Sequence, residues 1–396
     1  MKYGKRVMGA LALSLLFGCQ VSASIDMENG VTIGVMTYNP DDSQTMAFRN
    51  YLQDYLGDAF DAEFIYSDAA NSPETEAEFI EQLHDMEIQG VIGTFQESTM
   101  ELCEKYEMYY VFGSAALTDD QFEKVKNNPH FLGTVSASRQ SEEEESGKMA
   151  EFFAAQDTDK TESYVICTGG ASKSNAMHYA RTEAMLETLA ADYGITLPEK
   201  EEDMQALIKT EKVTNLETSN GGKITLVPGY PVVSPLDETV AGLLDDGSYQ
   251  VVLSTMAPSY ILDGIEAAEE KNDIDIKLGV VDCFTDETSA LFNGTYNGGK
   301  QELDYLVGKY GSMLAPAFTA MCNAYSGNLE DFREDGHAFQ IYQSYWVASS
   351  KEEFNKLYAE TTNMYENTYS ATDIMQVLKE FNPNADFASF KAFAER

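Results

Sequence analysis

The chain of 396 residues is 43% hydrophobic, which is enough to fill the cores of two ordinary domains. Its 26 Lys and Arg residues stand against 66 Asp and Glu residues, and the net charge of −40 is spread along the sequence. Such a surface repels phosphate backbones and anionic lipids, so the composition excludes a nucleic-acid-binding protein. With 28 Gly and 10 Pro residues, a collagen-like or linker-like chain is excluded as well.

The N-terminus has the organisation of an export signal. Three basic residues precede an apolar run over residues 7–17, which is too short to remain in a bilayer as a spanning helix. The run ends in Leu-Phe-Gly-Cys at Cys19, a sequence that resembles a bacterial lipobox. We therefore predict a signal peptide over 1–18, lipidation of Cys19 and a tether over 19–30. Cleavage after Ala23, without a lipid, is the alternative.

Residues 31–137 alternate between short apolar strands and amphipathic helices. The predicted strands are Val31–Met36, Ala62–Tyr66, Gly90–Gly93, Tyr109–Gly113 and Phe131–Val135. The predicted helices between them are Ser43–Leu56, Glu74–Met86 and Glu97–Tyr106. Short continuous apolar strands that alternate with helices are typical of a parallel sheet covered on both faces.

The same alternation begins again after Ser141, which with Glu144 forms a Ser-x-x-Glu pattern typical of a helix start. Strands are predicted at Tyr164–Thr168, Lys223–Val227, Gln250–Ser254 and Lys277–Val281, and helices at Asn175–Ala191, Leu236–Asp245 and Tyr260–Lys271. The polar segment 195–222 is predicted to be a surface insertion. The C-terminal part is predicted to contain a strand over Ala338–Val347, a helix that begins after Ser350 with Glu353 in its first turn, and a last helix around Thr372–Phe381.

The enzyme motifs that this sequence partly matches each lack a required residue. The Gly294-to-Lys300 segment has P-loop spacing, but Gln301 replaces the Ser or Thr that would hold magnesium. The four histidines are far apart and form no metal-binding pair. Cys103, Cys167, Cys283 and Cys322 have no paired spacing, so we expect buried free thiols, with one disulfide as the alternative. We expect no enzyme activity, metal or cofactor.

Ligands of open α/β sheets bind beyond the carboxyl ends of the strands, so the polar residues there are the candidates for a site. Asn39, Asp41 and Asp42 follow the first strand, and Phe95 follows the third. Thr255 and Asp282 follow two strands of the second half.

Several of these segments resemble type I periplasmic solute-binding proteins, the ribose- and galactose-binding group related to lactose-repressor effector domains. The resemblance covers roughly residues 31–325. It is carried, in chain order, by Ile33-Gly34-Val35-Met36 with Asn39-Pro40, by Ser146-Gly147-Lys148-Met149-Ala150, by Ala180-Arg181-Thr182-Glu183-Ala184-Met185, by Val280-Val281-Asp282 and by Tyr305–Tyr310.

The resemblance implies an α/β fold of two Rossmann-like lobes, with parallel sheets joined by a hinge of crossing strands. We expect residues 31–137 and about 283–308 in the first lobe, and 138–282 and about 309–396 in the second. It also implies closure of the lobes on a small ligand, a sugar or sugar-like molecule, and delivery of that ligand to an ABC import permease by a monomeric lipoprotein. A ligand-sensing module for a membrane receptor or kinase, or a binder of a nucleoside or amino-acid-like ligand, is the alternative.

The resemblance carries ligand-binding roles to only part of this chain. Asn39, Arg181 and Asp282 match family positions that hydrogen-bond sugar hydroxyls, and their side chains suit a polyhydroxyl ligand. Elsewhere the family residues are replaced. Asp41 and Asp42 stand in place of an aromatic pair, Ala115 and Ala116 in place of an Asp-Arg pair, Thr255 in place of an amide or acid, and Lys309 in place of a Gln.

Each candidate also has a purely structural interpretation. Asp41 and Asp42 precede a helix and suit capping, and Arg181 suits a surface ion pair. Glu142–Glu145 is interpreted as the solvated start of a helix. Aromatic contact with a ligand is expected from Tyr38, Phe95 or Phe284, and core packing is the alternative for Tyr38 and Phe95.

Overall fold

The computed structural model describes residues 30–93, 97–113, 117–171, 175–230, 235–296, 298–363 and 367–396. The predicted signal peptide, Cys19 and Phe95 lie outside these residues. The strands are β1 Val31–Thr37, β2 Ala62–Ala69, β3 Gly90–Gly93, β4 Tyr109–Gly113, β5 Phe131–Ala137, β6 Tyr164–Cys167, β7 Thr214–Glu217, β8 Lys223–Val227, β9 Val251–Ser254, β10 Lys277–Phe284, β11 Tyr305–Tyr310, β12 Phe339–Gln343 and β13 Trp346–Ala348.

The helices fall between these strands and after the last one. They are α1 Ser43–Asn50, α2 Asp58–Phe60, α3 Pro73–Asp85, α4 Glu97–Lys105, α5 Asp119–Val125, α6 Arg139–Gln156, α7 Ala176–Tyr193, α8 Glu201–Ile208, α9 Leu236–Leu244, α10 Leu262–Asn272, α11 Asp286–Asn293, α12 Ala315–Tyr325, α13 Lys351–Thr362, α14 Ala371–Val377 and α15 Phe387–Ala394. A π-helical segment, Tyr51–Gly57, joins α1 to α2.

The strands form two sheets, and each sheet is the centre of one lobe. The first sheet has the order β12-β5-β4-β3-β1-β2 and is parallel throughout. The second has the order β13-β11-β10-β9-β6-β8-β7, with antiparallel strands at its two edges. The predicted two-lobed α/β fold is confirmed.

The chain passes between the lobes at four places. It leaves the first lobe after β5, returns after β11, crosses again between β12 and β13, and returns a last time after α13, since α14 and α15 pack on α12. The predicted allocation of 283–308 to the first lobe is wrong, because the apolar β11 pairs in parallel register with β10. Much of 309–396 likewise belongs to the first lobe, where β12 pairs with β5.

Three local predictions also need correction. The N-cap of α6 is Ser138, whose side chain accepts a hydrogen bond from the Ser141 amide, so Ser141 lies inside the helix. The segment 195–222 contains α8 and β7, which extends the second sheet. The strand predicted over Ala338–Val347 is two strands in different sheets, because the chain crosses between the lobes at Ser344 and Tyr345.

Candidate functional site

The carboxyl ends of the strands meet where the two lobes face each other. On the first lobe, a cavity of about 140 Å³ lies at the ends of β1, β3 and β4. Its lining includes Thr37, Tyr38, Asp42, Gly93 and Gly113. Tyr38 is 45% exposed.

Asp42 has the capping role considered for it from the sequence. Its carboxylate accepts a hydrogen bond from the Gln44 amide at 3.2 Å and caps α1. Burial raises the pKa of Asp42, whereas the Gln44 hydrogen bond and the charge of Lys309 on the second lobe act in the opposite direction. Asn39 and Asp41 are exposed, and Asn39 Oδ1 accepts a hydrogen bond from the Asp41 amide at 3.2 Å.

The register of β10 and β11 sets the directions of the second-lobe candidates. Asp282 is paired with Gly308, and Cys283 with Lys309. Since successive side chains leave opposite faces of a sheet, Asp282 and Lys309 leave different faces at neighbouring positions. No ion pair within 4.0 Å joins them in the described part of the chain.

Asp282 and Lys309 each have a polar atom without a hydrogen-bond partner among the described residues. Asp282 Oδ2 is buried without a hydrogen bond, and burial, followed by Glu287 and Asp42, raises the pKa of Asp282 well above its usual value. Lys309 is partly exposed and has neither a hydrogen bond nor an ion pair. Burial lowers its pKa, and Arg181 adds to this effect.

Arg181 is held in a buried network. Its Nε donates to Glu142 Oε2 at 2.5 Å, its Nη2 donates to Glu142 Oε1 at 3.1 Å, and its Nη1 donates to the Thr255 carbonyl at 2.8 Å. The Tyr345 hydroxyl donates to Glu142 Oε1 at 2.5 Å. Glu142 is 3% exposed, so the interpretation of this residue as a solvated helix start is wrong. Most of the N–H groups of the Arg181 guanidinium therefore donate hydrogen bonds within the protein.

Thr255 is also committed to internal bonds. Its amide and its hydroxyl both donate to the Cys167 carbonyl at 3.1 Å, and its own carbonyl accepts from Arg181. The residue is fully buried. Its polar groups therefore hold the ends of β6, β9 and α7 together.

An aromatic group that the sequence analysis missed lines the same side of the second lobe. The His178 ring lies 6.3 Å from the Tyr230 ring, and Tyr230 lies edge-on to Tyr260 at 5.8 Å. His178 Nδ1 has no hydrogen-bond partner in the described structure, and burial, then Arg181 and Lys309, lower its pKa to about 3. Tyr230 closely follows the end of β8, and this position near the end of a strand is the signal for it in the sequence.

The aromatic residue Phe284 does not serve as a ligand platform. It is fully buried and stacks on Phe354 at 5.2 Å, with Trp346 edge-on at 5.7 Å. Phe95, the other predicted platform beside Tyr38, lies outside the described residues.

A larger cavity, of about 720 Å³, lies on the other flank of α1. Its lining includes Ser43, Asn50, Phe284, Glu287 and Tyr358. Of the predicted ligand contacts that the structure describes, Phe284 alone lines it, and Phe284 is fully buried. Helix α1 therefore separates two cavities.

Other chemistries have less support. Among the described residues, no group of three His, Cys, Asp or Glu side chains is placed to hold a metal ion. Cys103, Cys167, Cys283 and Cys322 are buried free thiols, as predicted. In the part of the chain that the structure covers, no helix is both long enough and apolar enough to cross a membrane.

Comparison with known proteins identifies the fold. No family model and no curated protein sequence matches this chain. Among solved structures, a periplasmic sugar-binding protein from Pseudomonas fluorescens is similar over 90% of this chain and 96% of its own, with a TM-score of 0.57 and 13% identity.

Two ligand-bound structures are similar to the same degree. The arabinose transporter binding component from Shewanella sp. ANA-3, with bound L-arabinofuranose, aligns over 84% of this chain and 95% of its own at 12% identity and a TM-score of 0.56. A Mycobacterium smegmatis protein in complex with β-D-fucofuranose aligns over 84% and 96% at 12% identity and a TM-score of 0.55. The chain has the two-lobed fold of periplasmic binding proteins.

Proposed function

We propose that this protein captures a small polar ligand, a sugar or sugar-like molecule, between its lobes and delivers it to an ABC import permease. The observation that carries the proposal is a set of second-lobe polar atoms that have no partner among the described residues: Lys309 Nζ, Asp282 Oδ2 and His178 Nδ1. Asp282 and Lys309 also interact electrostatically with Asp42 of the first lobe, across the space between the strand ends.

The chemistry of these atoms suits hydroxyl groups. Leaving a buried polar atom unpaired costs about 1–3 kcal/mol, so a bound group that pairs with it is favoured. Lys309 offers donors, whereas the Asp282 carboxylate accepts, and a hydroxyl group can do both. Tyr230 and Tyr260 add aromatic surface of the kind that packs against the C–H faces of sugars.

The structural neighbours support the same class of ligand and mechanism. One is named as the binding component of an arabinose ABC transporter and another as a periplasmic sugar-binding protein, and two of the three structures have furanose sugars bound. Two lobes joined by crossing segments close by a hinge motion around a ligand.

The export signal supports a position outside the cytoplasm, with the mature chain anchored through a lipid on Cys19. Cys19→Ala should release the protein from the membrane fraction, because the acyl chains are the anchor in this proposal. Membrane retention of the variant would refute the anchor without affecting ligand binding.

The ligand is found by a thermal-shift screen of the mature chain against sugars, nucleosides and amino acids, since binding to the folded form raises the melting temperature. For a ligand so identified, Asp282→Asn should weaken binding roughly tenfold or more, because it alters a charge-assisted hydrogen bond. The exposed Asp263→Asn is the matched control.

Closure is tested by solution scattering. The radius of gyration should fall when the identified ligand saturates the protein, because the lobes approach each other. An unchanged profile at confirmed saturation would refute capture by hinge closure.

A further inference from the structure

Lys309 holds a positive charge that the described protein does not neutralise. It lies at the end of β11, next to the place where the chain returns to the first lobe, and it makes no hydrogen bond or ion pair with any residue that the structure describes. A charge withdrawn from water is costly unless it is paired. Arg181, a second cation that acts on it, is already paired with Glu142.

The acids around Lys309 do not take this role. Glu142 accepts two bonds from Arg181 and one from Tyr345. Asp282 leaves the sheet on the other face, because it is paired with Gly308 and not with Lys309. Asp42 is occupied in capping α1 and lies on the opposite lobe.

Among the described residues, Lys309 is therefore a cation without a hydrogen-bonded counter-charge, since Asp282 and Asp42 interact with it electrostatically but neither forms an ion pair with it. Arg181 and Glu142 cancel each other, and burial keeps the neighbouring His178 neutral by lowering its pKa to about 3. The many surface acids act weakly here, because the Debye length is only about 8 Å at physiological ionic strength.

The surroundings favour a monoanion over a phosphate dianion. Phosphate sites ordinarily combine several donors with a free helix N-terminus. Here the N-terminus of α1 is capped by Asp42, and Arg181 is engaged by Glu142. One free ammonium matches one carboxylate.

We propose that the ligand is a hydroxylated carboxylic acid, such as an aldonic or uronic acid, whose carboxylate pairs with Lys309 while its hydroxyls bond Asp282 and Asp42. This inference rests on the proposed function and narrows its ligand class. Asp282 is suited to the hydroxyl part, since its Oδ2 is buried and free of any described partner.

The test compares acidic sugars with their neutral parents. Gluconate, galactonate, glucuronate and galacturonate are measured against glucose and galactose by thermal shift and then by calorimetry, with inorganic phosphate and a set of amino acids included. For the acid that binds most tightly, Lys309→Gln should weaken binding roughly tenfold or more, because a charge-assisted hydrogen bond is lost. Lys356→Gln, at an exposed lysine of α13, should leave it unchanged.

The outcomes separate this inference from the proposed function. Tighter binding of a neutral sugar, with little effect of Lys309→Gln, overturns the inference and leaves sugar capture standing. Tightest binding of phosphate or an amino acid also overturns it. If none of these compounds binds, both proposals fail. Lys309→Gln should fold, because it removes an unpaired charge, and an unchanged or raised melting temperature without ligand checks this.

Discussion

Replacing Glu142 by Gln tests whether Arg181 is a structural residue or a ligand contact. Glu142 and Arg181 lie on α6 and α7, and both side chains are almost fully buried. The variant keeps the shape of the side chain but leaves the guanidinium without its counter-charge. It also places an amide nitrogen where the carboxylate accepted bonds from Arg181 and Tyr345.

The expected cost follows from the bonds that are lost. Each hydrogen bond to a charged group contributes about 1.5–3 kcal/mol, and Gln can replace at most one of the two carboxylate acceptors. Removing one partner of a buried ion pair costs about 3–5 kcal/mol by comparison with other proteins. We expect Glu142→Gln to lower the free energy of unfolding by about that amount.

The assay is urea unfolding of the ligand-free protein at pH 7, with Glu143→Gln as the control. Glu143 is paired with Arg139 at 2.7 Å on the solvent side of the same helix, and an exposed pair of this kind contributes about 0.5 kcal/mol or less. In the double variant Glu142→Gln with Arg181→Met both charges are removed, so its destabilisation should be smaller than the sum of the two single effects.

If Glu142→Gln lowers the free energy of unfolding by less than about 1 kcal/mol, this reasoning is refuted, since breaking a buried ion pair costs more than that. The guanidinium would then be free to serve a ligand, as the family resemblance implied. The structure instead leads us to expect that Arg181→Ala lowers the stability of the ligand-free protein.

Two further predictions concern stability. Asp157 accepts the Glu162 amide at 2.8 Å and the Tyr193 hydroxyl at 2.9 Å, and although burial opposes them, these bonds lower the pKa of Asp157. A carboxylate whose pKa is lowered by folding stabilises the fold at any pH above its unfolded-state pKa, and this stabilisation is lost as the pH falls through its folded-state pKa. Asp157→Asn should therefore lower the free energy of unfolding by about 1–3 kcal/mol at pH 7 and by progressively less below pH 4. Urea unfolding at each pH measures this difference. At Gly308 a Cβ would lie 2.3 Å from the Asp282 carbonyl oxygen, so Gly308→Ala should lower the melting temperature, whereas Gly242→Ala, in helix α9 with nothing within 4 Å, should raise it. Equal effects of the two glycine variants would contradict this account of the packing.

Much of the fold could be predicted from local patterns. Most strands and helices up to β10 were predicted within a few residues, because apolar runs, helical periodicity and turn residues act over neighbouring positions. The same patterns put Asp42 and Asp282 at the ends of strands, and so at one edge of their sheets. The charge and length of the first 19 residues predict export, and that stays a prediction.

The tertiary structure decided which of these residues have free polar groups. Arg181 is bound to Glu142, 39 positions earlier, and Glu142 to Tyr345, 203 positions later, and no local pattern encodes such pairings. Which sheet receives β11, and therefore which face carries Lys309, depends on register with β10. The sequence alone determined the kinds of side chain at the strand ends, whereas folding determined which charges cancel, because cancellation requires contact between residues distant along the chain.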